Sequence, residues 1–168
     1  MSNLKRLTLS SVLAALALLL FIVEAQFPAF TSVPGVKLGL ANIVTLIAIK
    51  LIDKKSAALI LLVRIILGSI FNGNIVYFFY SLCGGALCYI AMCLFDLILN
   101  DDQTWALSII GAIAHNIGQI SVAALIMKNV RLFWYLPQLL ISAVVSGLLT
   151  GLCAGIIVKR LGDKIKKE

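Results

Sequence analysis

From Leu7 to Val158 the sequence is a succession of apolar runs, and the polar residues that interrupt them come in short groups. Runs of about 20 apolar residues match the thickness of a bilayer when helical, and inside a bilayer only helices or closed barrels satisfy every backbone N–H and C=O. Of 168 residues, 62% are apolar, 14 are Lys or Arg and 7 are Asp or Glu, whereas a soluble domain is about one quarter charged. An ordinary soluble globule is therefore excluded. At about 20 residues per span, six spans consume roughly 120, and the short loops that remain cannot hold a second, water-exposed module. The expected fold is an all-α, polytopic bundle of about six transmembrane helices in one domain, 1–168. Any chemistry must sit in the membrane or at its rim.

Punctuation sets the spans. The first runs over about 7–27; Val23-Glu24-Ala25 fits a signal-cleavage pattern, but the run exceeds a usual signal core and reads as a retained helix. Pro28, Pro34, Gly35 and Lys37 mark a loop. A second helix over 38–52 ends at the polar turn Asp53-Lys54-Lys55, a third covers 56–71, and Asn72-Gly73-Asn74 tolerates left-handed backbone. Further helices are expected over 75–99, 104–127 and 133–158. The second and third look short for a full crossing, which snorkelling by Lys50, Lys54 and Lys55 would relieve.

Orientation follows from the basic residues of the short loops. With the N-terminus inside, Lys5, Arg6, Lys50, Lys54, Lys55, Lys159, Arg160, Lys164, Lys166 and Lys167 are cytoplasmic, against Lys37, Lys128 and Arg131 outside. Both termini are then cytoplasmic. The net charge of +7 suits an edge beside anionic lipid and gives no reason to invoke nucleic acid.

Arg64 remains, near the middle of the third helix. A charge there is expensive and usually faces a bundle interior with a partner. Beside an unpaired structural role, two readings stay open. One is a salt bridge to Glu24; with both helices running outward, Glu24 lies about 17 residues along the first and Arg64 about 8 along the third, a depth difference of roughly 13 Å that a direct pair would have to overcome. The other is that Arg64 offers its fork of donors to an anionic ligand group. A second polar constellation, His115, Asn116 and Gln119, lies halfway along the fifth helix, with His115 and Gln119 stacked on one face. These residues bond neighbouring helices or contact a ligand. Asn42, with Thr45 one turn further on, adds another polar face.

Ten of the 14 aromatic residues (Phe27, Phe30, Phe71, Tyr77, Phe78, Phe79, Tyr80, Phe133, Trp134, Tyr135) cluster toward the outer side. An anchoring belt decorates both interfaces, so this asymmetry reads as a one-sided belt, a helix-packing cluster, or a pocket with Phe30, Tyr77, Tyr80, Trp134 and Tyr135 as walls. Lys37 would sit in its lid, and Arg64 and His115 in its floor. There is no GxxxxGK[ST], no GxSxG and no spaced carboxylate set for a magnesium-diphosphate enzyme. Cys83, Cys88 and Cys93 are five apart and do not converge on a metal. No catalytic residue, metal or resident cofactor is expected.

The stretches Pro34-Gly35-Val36-Lys37-Leu38-Gly39-Leu40-Ala41-Asn42, Arg64-Ile65-Ile66-Leu67-Gly68-Ser69, Ser81-Leu82-Cys83-Gly84-Gly85, Ala114-His115-Asn116-Ile117-Gly118-Gln119 and Tyr135-Leu136-Pro137 resemble the bacterial membrane family labelled both "Gx transporter" and "heptaprenyl diphosphate synthase component I". The first label implies transport. Small six-helix bacterial proteins of this kind are similar to the substrate-binding S components of energy-coupling factor (ECF) transporters. In those the loop after the first helix covers an outward-facing site, and helix 1 docks on a transmembrane subunit driven by two ATPases. Here Ser10 with Ala14 and Ser11 with Ala15 give a small-xxx-small face in place of the strict Ala-xxx-Ala form. The second label implies an accessory subunit of a polyprenyl diphosphate synthase. The family also resembles a membrane component found beside flavin-based extracellular electron-transfer proteins. Together these imply a multi-pass protein of the bacterial cytoplasmic membrane, not itself an enzyme, whose ligand is a vitamin, a flavin, a quinone or an isoprenoid compound.

Overall fold

The computed structural model describes residues 3–26, 39–73 and 75–167. Six α-helices make up the bundle: α1 Asn3–Gln26, α2 Asn42–Leu51, α3 Lys54–Asn72, α4 Ile75–Phe95, α5 Thr104–Ile126 and α6 Leu136–Lys167, with 3-10 turns at Asp101–Gln103 and Val130–Tyr135. Five are long and apolar enough to cross a membrane; α2 is the exception. The large apolar side chains on their outer faces, such as Leu19, Leu59, Ile70, Ile90, Val145 and Leu149, are exposed, as expected of surfaces solvated by lipid tails.

The shortness of α2 has a different cause from the one its sequence suggests. Its ten residues span about 15 Å, half of a roughly 30 Å hydrocarbon core. Seven of them, Asn42 and Val44 to Ile49, are buried, and α2 contacts every other helix. A helix apolar on all sides belongs in the interior. α2 is thus an internal half-helix, and Lys50 at its end does not snorkel. Its ammonium, on a side chain only 8% exposed, pairs with Asp96 at 2.8 Å and with Asp101 at 2.9 Å.

Small residues set the spacing of the remaining helices. A Cβ added at Gly118 of α5 would lie 2.8 Å from the carbonyl oxygen of Cys83 and from Cα of Gly84 on α4. One added at Gly147 or Gly151 of α6 would lie 2.7 Å from Cα of Ile109 or 2.6 Å from Cα of Trp105 on α5. Backbone-to-backbone approach of this kind is how membrane helices associate without a hydrophobic drive between them. Ser108 and Thr150 share a hydrogen bond of 3.0 Å across the α5–α6 seam.

Charges gather at the end of the bundle where α1 starts. Asp53 caps α3 by accepting from Ser56 N at 2.8 Å and pairs with Arg6 at 2.7 Å, while Arg6 Nε donates to Ser56 Oγ at 3.0 Å. Lys54 donates to Cys93 O, and Tyr89 donates to Lys54 O, so α1, α3 and α4 are tied together there. Several helix ends differ from the sequence reading: α1 starts at Asn3, α2 at Asn42 and α3 at Lys54, and α6 runs on to Lys167. α4 stops at Phe95 rather than Leu99, because Asp96 turns inward to reach Lys50. The stretch 133–135 belongs to a 3-10 turn started by the Asn129 side chain, which accepts from Arg131 N, and α6 begins at Leu136 with Pro137 in its first turn.

Two predictions arise here. Lys50→Met leaves Asp96 with only Lys54, at 3.4 Å, and is expected to cost roughly 2–3 kcal/mol, somewhat below the 3–5 typical of breaking a fully buried pair. In a double-mutant cycle with Asp96→Asn, unfolding in mixed detergent micelles should return part of that loss. At Asp53, desolvation raises the carboxyl's pKa, but the Ser56 N–H and the Arg6 charge outweigh it and hold the group below its ordinary 3.8. A carboxyl depressed in the folded state stabilises above its unfolded value, and that contribution disappears as pH falls through the folded value. Asp53→Ala should therefore cost about 1 kcal/mol at neutral pH. The gap between variant and parent should close on acidification below pH 3.8.

Candidate functional site

Polar side chains from four helices converge where α2 begins. The chain enters α2 through Gly39, whose φ of +80° lies in the left-handed region that glycine adopts without steric cost. A tight turn follows, in which Asn42 N donates to Gly39 O at 2.9 Å and Ile43 N to Leu40 O at 3.2 Å. Ala41 precedes the helix and supplies no side-chain cap. Ala41 is 1% exposed, so the start of α2, whose first amides donate to the carbonyls of Gly39, Leu40 and Ala41, is enclosed in protein.

Around it stand the other members. Arg64 of α3 is 3% exposed, and its Nη1 donates to Asn42 Oδ1 at 3.3 Å. Its Nε has no hydrogen-bond partner among the described residues, nor has Asn42 Nδ2. Glu24, near the end of α1 and 7% exposed, accepts from Gly39 N at 2.6 Å and lies close enough to Arg64 for Coulombic attraction. His115 of α5 lies against the same glycine: a Cβ at Gly39 would be 2.6 Å from Asn42 Nδ2 and 3.0 Å from His115 Cδ2.

Two consecutive glycines of α4 make room for the large polar groups. A Cβ at Gly84 would sit 2.9 Å from His115 Nδ1 and 2.9 Å from Gln119 Cγ, and one at Gly85 would sit 3.5 Å from Arg64 Nη2. Successive helical residues point about 100° apart, so one glycine of α4 faces the histidine and the other the arginine.

The structure therefore brings together Glu24, Asn42, Arg64, His115 and Gln119, which the sequence singled out separately. Asn116 is turned away from them. It is 1% exposed and its Nδ2 donates to Leu139 O of α6 at 2.9 Å, so it serves the α5–α6 seam. Tyr80, buried at 3%, packs with Ile120, Ala123 and Leu139 in a second core cluster that Tyr135 borders. Tyr77 is half-buried and Trp134 is 85% exposed at the bundle end. Phe30 and Lys37 lie outside the described residues, as does the rest of the expected lid. On α1, Ser11 and Ala15 are exposed, whereas Ser10 and Ala14 are half-buried. Sequence reasoning missed the backbone N–H of Gly39 as the partner of Glu24, and the division of labour between Gly84 and Gly85. The adjacent glycine pair in the middle of an apolar helix was the available signal for the latter.

The chain matches the family model described as heptaprenyl diphosphate synthase component I over residues 13–157. It belongs to that family. The matched stretch contains every member of the buried cluster, from Glu24 to Gln119. No curated protein and no solved structure matches the chain. What the chain shares with its family is thus a polytopic helical membrane architecture, while the chemistry of the site has to be argued from its own residues.

Proposed function

We propose that this chain is a membrane-embedded binding component, similar in role to the S component of an ECF-type transporter, which takes up a small amphipathic anion from the outer side. The observation that carries this reading is the buried Arg64. Its hydrogen bond goes to a neutral amide, Asn42, and its Nε is not used by any described residue. Burying a cation and leaving donors unmatched is costly, and such residues in membrane spans mark ligand or ion sites. The backbone N–H of Gly39, which donates to a carboxylate oxygen at 2.6 Å, is a second donor for an anion near the same place. His115 and Gln119 supply hydrogen-bonding groups beside it for the polar part of a ligand. The half-buried Tyr77 and Tyr135, with Phe30 and Lys37 from the segment after α1, are the candidates for enclosing the apolar part and assisting the charge.

The orientation rests on the basic residues at the end where α1 starts and α6 finishes, which the positive-inside bias assigns to the cytoplasm. The membrane is then the bacterial cytoplasmic membrane. Passage across it would fall to a partner transmembrane subunit and its ATPases, and the lipid-facing Ser11 and Ala15 of α1 are the small residues available for docking. The description of the family supports the same ligand chemistry from another direction. A heptaprenyl diphosphate is itself an amphipathic anion, so an accessory subunit of a polyprenyl synthase would need a site of this character without catalysing anything; a flavin or quinone carrier would need its apolar part. The deciding experiment is mass spectrometry of what co-purifies with the protein from native membranes. An anionic amphipath that is absent from an Arg64→Leu preparation supports the proposal, and a protein that carries only bulk phospholipid in both preparations counts against it.

A further inference from the structure

Glu24 stands where the anionic group of a ligand would be expected to stand. Its carboxylate accepts the backbone N–H of Gly39 at 2.6 Å, just before the start of α2, and it lies within the Coulombic reach of Arg64. A backbone N–H beside an arginine is an element from which protein sites for phosphate and carboxylate are built. Among the described residues, the titratable and charged groups at this place are Glu24 from α1, Arg64 from α3, the Cys88 thiol from α4, which lies in the field of Arg64, and His115 from α5. Of the acids inside the apolar runs, Asp96 belongs to the opposite end of α2, in the Lys50 pair. Glu24 is therefore the acid available to balance Arg64 at this site among the described residues.

From this we infer that Glu24 is a resident competitor for the anion site, a side-chain carboxylate that an incoming oxyanion must displace. The inference rests on the proposed function and adds the regulation of that site. Two anions beside one arginine in a low-dielectric interior repel each other strongly, so a ligand oxyanion and an ionised Glu24 cannot share Arg64 without loss of affinity. The donors that Glu24 does not use, Arg64 Nε and Asn42 Nδ2, are buried and without a hydrogen-bond partner among the described residues, and would be open to the ligand's remaining oxygens. The ligand class that fits is an oxyanion head, phosphate or carboxylate, on an apolar tail. The consequence is a site whose affinity is held down by its own side chain, which favours release as well as capture.

The test uses the full-length protein in nanodiscs of zwitterionic lipid, with geranyl monophosphate as probe and geraniol, which lacks only the phosphate, as control; binding is read as ligand-dependent thermal stabilisation. Glu24→Gln retains an acceptor for the Gly39 N–H and removes the charge; Glu24→Ala provides a second neutral variant should glutamine disturb folding. The inference requires that a neutral variant bind the phosphate roughly tenfold or more tightly than the parent, within the usual range of coupling between sites, that geraniol show no such gain, and that Arg64→Leu in the same background abolish it. Equal affinity in the parent and in both neutral variants, still dependent on Arg64, overturns the competitor role and leaves the anion site standing. Binding that is indifferent to both Arg64 and Glu24 overturns the two together.

Discussion

Replacing Arg64 by leucine is expected to lower affinity for an amphipathic oxyanion by at least about a hundredfold while binding of the uncharged analogue stays within a few-fold. A charge-assisted, desolvated contact of this kind contributes several kcal/mol, and each 1.4 kcal/mol is a tenfold change. The same substitution removes a buried cation that attracts Glu24 and bonds Asn42, so a loss of stability of roughly 3 kcal/mol should accompany it. The two effects separate in the Arg64→Leu, Glu24→Gln double variant, where stability should largely return and oxyanion binding should not. Titration of each nanodisc-embedded variant with geranyl monophosphate and with geraniol, alongside unfolding in mixed micelles, measures both. Retained discrimination between the two probes in Arg64→Leu would remove the arginine from the site.

The second large effect is expected at Gly118. A Cβ there meets backbone on α4, at 2.8 Å from both Cys83 O and Gly84 Cα, and backbone cannot rotate aside as a side chain would. Gly118→Ala should cost about 2–3 kcal/mol, and Gly118→Val should prevent stable assembly of α4 against α5, beyond the usual range for overpacking. Because Gly84 also faces His115 and Gln119, forcing the helices apart should loosen the polar cluster as well as the seam. Thermal unfolding and protease resistance of the purified variants read the first effect; probe affinity of the surviving alanine variant reads the second. By contrast, alanine at Gly155, where the nearest atom would be 3.8 Å away, should be tolerated.

The fold was largely legible in the sequence because the signals that determine it are strong and local. Apolar runs of bilayer length gave five of the helices, and Asp53-Lys54-Lys55 and Asn72-Gly73-Asn74 marked breaks; Gly73 is left-handed as that turn requires, while the N-cap roles of Asp53 and Asn129 emerge only in the structure. α2 was misjudged in kind rather than in existence. Hydropathy is the same for a helix solvated by lipid and one surrounded by protein, and only the tertiary arrangement shows that Lys50 finds Asp96 and Asp101 instead of the interface. At the site, Arg64, His115 and Gln119 were conspicuous as polar groups in apolar helices, yet their grouping with Asn42 and Glu24 depends on how α2 is inserted. The straight-helix depth difference between Glu24 and Arg64 disfavoured a meeting; the structure brings them into Coulombic range and routes a hydrogen bond of each through the start of α2, Gly39 N for the glutamate and Asn42 for the arginine. Asn116 looked equivalent to its neighbours, but one residue along a helix is a rotation of 100°, enough to turn it toward α6.

The internal placement of α2 also bears on how a solute could move. The half-helix fills the axis of the bundle: Val44, Leu46 and Ala48 are fully enclosed, and its far end is anchored by Lys50 to two aspartates. A molecule that reaches Arg64 from one side finds a stopper below it rather than a conduit. Continuing along that axis would mean withdrawing ten residues from contact with all five neighbouring helices and separating both ion pairs at once. On the proposed reading, a ligand bound at Arg64 would stop at mid-depth, and delivery to the other side would call for work done on the protein from outside.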